Sequence, residues 1–462
     1  MVPKVAESWS VTPDGTTYTF KIRRNLLWSD GKPVTAHDFV YSWQRLLDPK
    51  TAARYAYFLF PIKNAKAFND TGSRVKDFAQ VGAKAVDDYT LVVTLEKAMS
   101  YFPTLLTHSS TFPMRKDVVE KLGDKWTEPG NIVTNGPFLL EEWQHNYKLT
   151  LVRNDNYWGE KAKLRRIVGY MITEESSSLN LYETGKLDIM RGIPTSDIQR
   201  LKNTPDYYKI PLLAAYYYGF NVNKPPFNDP NVRKAFSAAI DREEICKALQ
   251  GDQIPLTSWI PKGMLGYNPN VGIKFDPDKA VAYLKQAGYE KGDPRLQGIT
   301  LAYNTNEGHK QVAENLQALW QKHLGVKVNI DNQEWKVFLD ILHSIPAKPL
   351  ASPHLFRMGW VGDYPDPDNF MNLFTSGSDN NHTGWKNSHF DKLIERAAVE
   401  IDPDVRLSLY NEAQRVLTEE EVPILPIYVY TTQKLIKPYV KGFQLNPLDE
   451  YYLDTIWVEA GS

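Results

Sequence analysis

The stretch RMGWVGDYPDPDNF, residues 357–370, sets one carboxylate, Asp363, between two aromatic side chains, Trp360 and Tyr364, with Arg357 six residues before it. A carboxylate withdrawn from water needs a cation or several donors, and an ammonium group supplies a charge together with three N–H bonds. The same residues also make a turn. Proline presets φ and aspartate bonds its own backbone, so DYPDPD bends by composition. Glycines such as Gly359 and Gly362 let another chain approach closely, or simply complete the bend. Residue types alone favour the turn.

Other chemistry is missing. The sequence contains no G-x-S-x-G elbow, H-E-x-x-H helix, P-loop or G-x-G-x-x-G turn. Its nine histidines show no metal-ligand spacing, and none of its 55 acids forms an obvious catalytic pair. No catalytic residue, metal ligand or cofactor is therefore expected, and a hydrolase built on an unrecognised carboxylate pair is the rival of another class. The lone Cys246 excludes an intrachain disulfide and reads as a buried, inert thiol. A formal net charge of −1 gives no basic face for nucleic acid. Twelve Trp, 26 Tyr and 19 Phe exceed what a core of this size needs as readily as they fill it, so an aromatic-lined ligand cavity and plain core packing both stand. No run of 18 apolar residues occurs, and the opening MVPKVAESWSV has neither a charged nor an apolar leader segment.

The chain's 462 residues are too many for one core and suit two or three lobes. Residues 16–23, TTYTFKIR, alternate like a half-buried strand. Thr35 and Asp38 have capping-box spacing ahead of a helix whose apolar face is Phe39, Val40, Trp43, Leu46 and Leu47. DDYTLVVTLEK and YKLTLVRND read as further strands. NDPNVRKAFSAAIDREEICKAL reads as one amphipathic helix, and DPDKAVAYLKQAGY as another closed by Gly288. Residues 299–331 form a strand–helix–strand unit with Gly325 ending the helix. Strands alternating with helices give an α/β class.

Several segments, in order, resemble one family. VAESWSVTPDGTTYTFKIRRNLLWSDGKPVTAHDFVYSWQRLLDP, NIVTNGPFLLEEW with VRNDNYWG, YYYGFNVNKPPFNDPNVRKAFSAAIDR, NQEWKVFLD, RMGWVGDYPDPDNFMNLF and PILPIYVYTTQKLIKPYVKGF are similar to segments of the bacterial extracellular solute-binding proteins of family 5, in the oligopeptide-binding branch that serves ABC importers. The resemblance implies a periplasmic-binding-protein-like fold of type II, cluster C-like. Two ligand-binding lobes joined by a hinge close on an extended peptide, beside an additional lobe. The additional lobe is expected at 1–113, the first lobe at 114–213 and 432–462, and the third at 214–431. Family members carry an export leader and first-lobe strands ahead of the AESW segment, so the chain is expected to lack its signal segment and those strands.

The resemblance also implies roles. Asp363 would hold the peptide's α-ammonium, while the backbone at Gly359, Val361 and Gly362 runs beside the ligand. Trp360 and Trp335 would wall side-chain pockets. Tyr55, Tyr217, Tyr430 and Asn380 match other ligand-side positions. Arg357 and His309 would take the peptide's carboxylate for different lengths. Around Arg191, DIMRGIP departs from the family's pattern: an extra cation there would favour acidic peptides, and an arginine pointing to the surface is the equal alternative. The implied protein is a monomeric, periplasmic or lipid-anchored receptor whose partners are short peptides and a membrane permease. A murein tripeptide carrier and a haem or metal-chelate receptor remain alternatives.

Overall fold

The computed structural model describes residues 3–99, 101–400 and 402–459. The chain forms two compact units: Met1–Ser178 with Lys437–Gln444 and Tyr451–Ser462, and Leu179–Ile436 with Leu445–Glu450.

In the first unit, strands β1 (Ala6–Val11), β2 (Thr17–Ile22), β3 (Ala83–Asp87) and β4 (Thr90–Thr94) make an antiparallel sheet in the order β1-β2-β4-β3. The alternation read in TTYTFKIR is real: Tyr18, Phe20 and Ile22 are buried while the residues between them face outward. The expected helix spans Ala36–Leu47. The Thr35 N–H donates to Asp38 Oδ2 at 2.7 Å, which closes the capping box from one side. Trp43 and Leu47 are fully buried, and the Trp43 indole N–H donates to the Thr111 carbonyl at 2.8 Å. A second antiparallel sheet follows, β5 (Phe138–Gln144), β6 (Lys148–Arg153) and β7 (Arg166–Tyr170).

The second unit is built on a seven-stranded mixed sheet. Its strands are β8 (Ile189–Arg191), β9 (Tyr207–Phe220), β10 (Ile254–Pro255), β11 (Ile299–Asn304), β12 (Val328–Gln333), β13 (Leu355–Val361) and β14 (Ile424–Ile436). The order is β10-β14-β9-β13-β11-β12, with β8 also on β14. The strand–helix–strand unit stands as read. β11 and β12 are parallel, the helix between them runs Glu307–Leu324, and Gly325 ends it at φ 70°. Gly288, at φ 79°, likewise follows the helix Pro277–Gln286.

NDPNVRKAFSAAIDREEICKAL is two helices rather than one, Pro230–Ala238 and Arg242–Leu249. The break has a local cause. The Asp241 carboxylate accepts the Glu243 and Glu244 N–H groups at 2.9 and 3.2 Å, so it starts a helix instead of continuing one. Cys246 on the second helix is buried, and burial pushes its thiol up to about 12, as an inert core thiol requires.

The central strands are buried on both faces. Tyr216, Tyr218 and Phe220 of β9 join a core with Trp320, Phe236 and Leu355. Leu213, Ala215 and Tyr217 join a separate core with Trp259, Phe356 and Phe370. Period-two alternation along one strand thus feeds two cores, and each fully buried aromatic or leucine contributes about 1.5–3 kcal/mol by transfer from water. β9 and β14 lose register between the pairs Val429↔Ala215 and Thr431↔Pro211.

Candidate functional site

Two polar clusters sit on and after β13. The first begins where the strand stops. The Gly362 N–H donates to the Leu213 carbonyl at 2.7 Å, and a Cβ there would lie 3.2 Å from that same oxygen and from Phe370, so glycine lets the chain turn away at the end of the strand. The next residue is Asp363, half-buried.

Three acids follow one another in DYPDPD, and the fold gives them different work. Asp366 is buried in a bidentate pair with Arg406, at 2.9 and 2.7 Å, and the Arg406 Nε donates to the Ala397 carbonyl at 2.9 Å. Asp368 is buried and accepts the Tyr364 hydroxyl at 3.0 Å. Asp363 instead takes a neutral donor, the Asn369 amide, at 3.3 Å from its Oδ2. Its own N–H donates to Asn369 Oδ1 at 2.9 Å, and the Trp360 indole N–H donates to the same oxygen at 2.9 Å. The turn read from the sequence is present, held by Asp366 with Arg406 and by Asp368 with Tyr364. Asp366 and Asp368 are buried in the bend, whereas Asp363 is half-buried.

The second cluster lies on the other face of the sheet. Arg357 is buried, at 7% exposure, opposite Tyr218 in the β13–β9 register. Its Nη1 donates to Asn304 Oδ1 at 3.1 Å, its Nη2 donates to the Tyr430 hydroxyl, and its guanidinium sits 4.7 Å from the Tyr216 ring centre. A Cβ on Gly359 would lie 2.6 Å from the Tyr430 hydroxyl and 3.2 Å from Arg357 Nη2, so only glycine leaves room for that pair. Burial disfavours the guanidinium charge, but the surrounding tyrosine oxygens more than offset this and its pKa ends above the ordinary value.

Two other buried arginines differ. Arg233 donates to the Phe227 and Glu421 carbonyls and Arg242 to those of Pro426 and Ile273, and burial brings each down to about 10. Arg357 Nε is buried and has no acceptor, a vacancy that neither of those side chains shows among the described residues. His309 joins the cluster from the first turn of the helix Glu307–Leu324, with its ring 5.5 Å from that of Tyr216. Burial, and then the Arg357 charge, lower its pKa to about 2, so it is a neutral imidazole at physiological pH.

The remaining expected residues are spread more widely. Val361 is exposed at the end of β13. Trp360 is half-buried against the core that contains Phe356. Tyr430 stands beside Arg357, whereas Tyr217 is buried on the opposite face, edge-on to Trp259 and Phe374. Trp335 is 45% exposed and stacks on Phe338 at 6.2 Å. Asn380 is half-buried, and its carbonyl accepts the His382 N–H at 3.0 Å. Tyr55 belongs to the first unit, 37% exposed and 4.6 Å from the His108 ring. Arg191 is paired with Asp449 at 2.8 Å, with its side chain largely exposed. Tyr216, Tyr218, Tyr428, Asn304 and Asn369 were not anticipated. The two-residue alternation in YYYGF and IYVY puts Tyr216 with Tyr218 and Tyr428 with Tyr430, a signal that was available in the sequence.

Among the described residues no helix is long and apolar enough to cross a membrane, and no group of three or more His, Cys, Asp or Glu could hold a metal ion.

Comparison with known proteins fits this architecture. The family described as "Bacterial extracellular solute-binding proteins, family 5 Middle" matches residues 1–382. The periplasmic oligopeptide-binding protein of Salmonella typhimurium is 39% identical over 99% of this chain and 84% of its own length. Among solved structures, the murein tripeptide-binding protein of Escherichia coli aligns with a TM-score of 0.89 at 37% identity, covering 99% of this chain and 90% of that one. The oligopeptide-binding protein of Haemophilus influenzae, solved with RPPGFSPFR, aligns with a TM-score of 0.86 at 34% identity, covering 98% and 90%. The α/β class read from the sequence, and the periplasmic-binding fold that the resemblance implied, hold.

Proposed function

The chain belongs to the bacterial extracellular solute-binding proteins of family 5, and from that premise we propose that it is a non-enzymatic receptor that captures short peptides and delivers them to an ABC-type importer. The observation that carries this reading is the placement of Asp363: it follows the end of β13, half-buried, with the Asn369 amide on its carboxylate and the Trp360 indole on the same amide, a setting suited to an α-ammonium.

The peptide's other end is assigned to the Arg357 cluster. A buried guanidinium held by neutral tyrosine and asparagine oxygens, with its Nε lacking an acceptor among the described residues, favours an incoming carboxylate. Arg357 and His309 act there as one site rather than as separate stops for different lengths, Arg357 giving the charge and neutral His309 a donor. Between the ends, the Gly359–Gly362 backbone pairs with the ligand main chain, and ligand side chains meet Trp360, Trp335, Asn380 and Tyr430, whereas Tyr217 supports them from the core. Main-chain pairing makes the site tolerant of sequence.

We place the protein in the periplasm or on the cell surface as a monomer, with a membrane permease as its partner. Lobe boundaries near 213/214 and 431/432 are supported by the register break of β9 against β14 at those positions. A murein tripeptide carrier is the second reading, favoured by the 0.89 TM-score to such a protein. Mass spectrometry of ligand released from natively purified protein tests both. Peptides of mixed sequence and narrow length support the general receptor, a single murein tripeptide selects the second reading, and a lone metal chelate or haem refutes both.

A further inference from the structure

The Asn369 side chain touches both Asp363 and Trp360. It is buried, at 3% exposure, in the short helix Asp368–Met371, and its N–H donates to the Asp366 carbonyl at 3.1 Å. Its orientation is fixed by chemistry. The Trp360 indole nitrogen and the Asp363 backbone nitrogen can only donate, and both lie 2.9 Å from Oδ1. A flipped amide would aim donors at donors, so Nδ2 must face the other way, where Asp363 Oδ2 waits at 3.3 Å. The support runs further back. Arg406 clamps Asp366, Asp366 accepts the Asp368 N–H at 2.9 Å, and the turn so formed presents Asn369.

We propose that Asn369 is a positioning residue for amine recognition: one buried amide sets both the direction of the Asp363 carboxylate and the plane of the Trp360 indole, so the charge and the aromatic wall that meet a peptide's first residue are aligned together. This rests on the reading of Asp363 as the amine anchor. A short side chain in a turn has several rotamers, and a carboxylate misplaced by an ångström loses directional bonds to an ammonium. The amide removes that freedom before the ligand arrives, and it does so without a charge that would compete with the ligand.

The test is a double-mutant cycle read by calorimetry with tetraalanine and N-acetyl-tetraalanine on the full chain. In the unsubstituted protein the acetyl group should weaken binding on the order of a hundredfold. Asn369→Ala should weaken tetraalanine on the order of tenfold when Asp363 is present, and by less than about twofold in an Asp363→Ala background. A role in the fold alone would weaken it equally in both backgrounds, and that result overturns the proposal. So does an unchanged affinity in Asn369→Ala. If the acetyl group makes no difference to the unsubstituted protein, the amine-anchor reading itself fails, which separates the two failures. Should Asn369→Ala not fold, Asn369→Ser replaces it in the same cycle, because its hydroxyl can keep one accepted bond but carries no amide to reach Asp363.

Discussion

Two acids three residues apart should respond in opposite ways to the same isosteric change. Asp363→Asn keeps the shape and removes the charge. An ammonium about 4 Å from a half-buried carboxylate gains about 4 kcal/mol at an effective dielectric near 20, before either group's lost hydration is subtracted. Losing one partner of such a ligand-bound pair costs about 2–5 kcal/mol, so peptide Kd should rise between roughly thirtyfold and several thousandfold. Stability should barely move, because Asp363 is half exposed and its contact on Asn369 survives as an amide. Asp366→Asn does the reverse. It strands the Arg406 guanidinium, whose two bonds to Asp366 are 2.9 and 2.7 Å and which is 8% exposed. Breaking a buried pair in this way costs about 3–5 kcal/mol of folding free energy. The assay is urea unfolding of both variants together with calorimetry using tetraalanine at low temperature, where the folded fraction is high. Equal affinity in Asp363→Asn and the unsubstituted protein refutes the amine-anchor argument; unchanged stability in Asp366→Asn refutes the division of labour.

Three other outcomes are expected. His309 is held neutral at a pKa lowered to about 2 from 6.5, so the unfolded chain binds more protons below pH 6.5. Its stability contribution is complete above pH 6.5 and is lost as pH falls, reaching about 3 kcal/mol at pH 4 by linkage. Denaturant midpoints from pH 7 to 4 should therefore slope less in His309→Asn; identical slopes would contradict its burial. Arg357→Met should weaken free-acid peptides to the affinity of their C-terminal amides while leaving amide peptides nearly unaffected, read by competition binding. Asp449 pairs with Lys434, whose residue is 1% exposed, at 2.5 Å; Asp449→Ala should remove about 3–5 kcal/mol of stability and lower Tm by several degrees.

Local order was legible in the residues. The alternation of TTYTFKIR, the Thr35–Asp38 cap, the parallel strand–helix–strand with Gly325, and the buried Cys246 follow from periodicity and from side chains acting within a few residues of themselves. Where two local signals competed, one was misjudged. The amphipathic stripe through residues 229–249 suggested a single helix, and Asp241, capping from its middle, made two. The family, too, could be read from ordered segments spanning the chain.

Tertiary structure decided which side chains meet. Strand parity says that Tyr216 and Tyr218 share a face and Tyr217 takes the other, but only the β13–β9 register puts Arg357 on the face with Tyr216 and Tyr218. Nothing near DYPDPD announces that Asp366 will be taken by an arginine 40 residues later, or that Asn369 will turn back onto Trp360 and Asp363. The physical reason is range. Capping and alternation are set by neighbours along the chain, whereas the availability of a charge depends on which distant partner the packed core delivers to it.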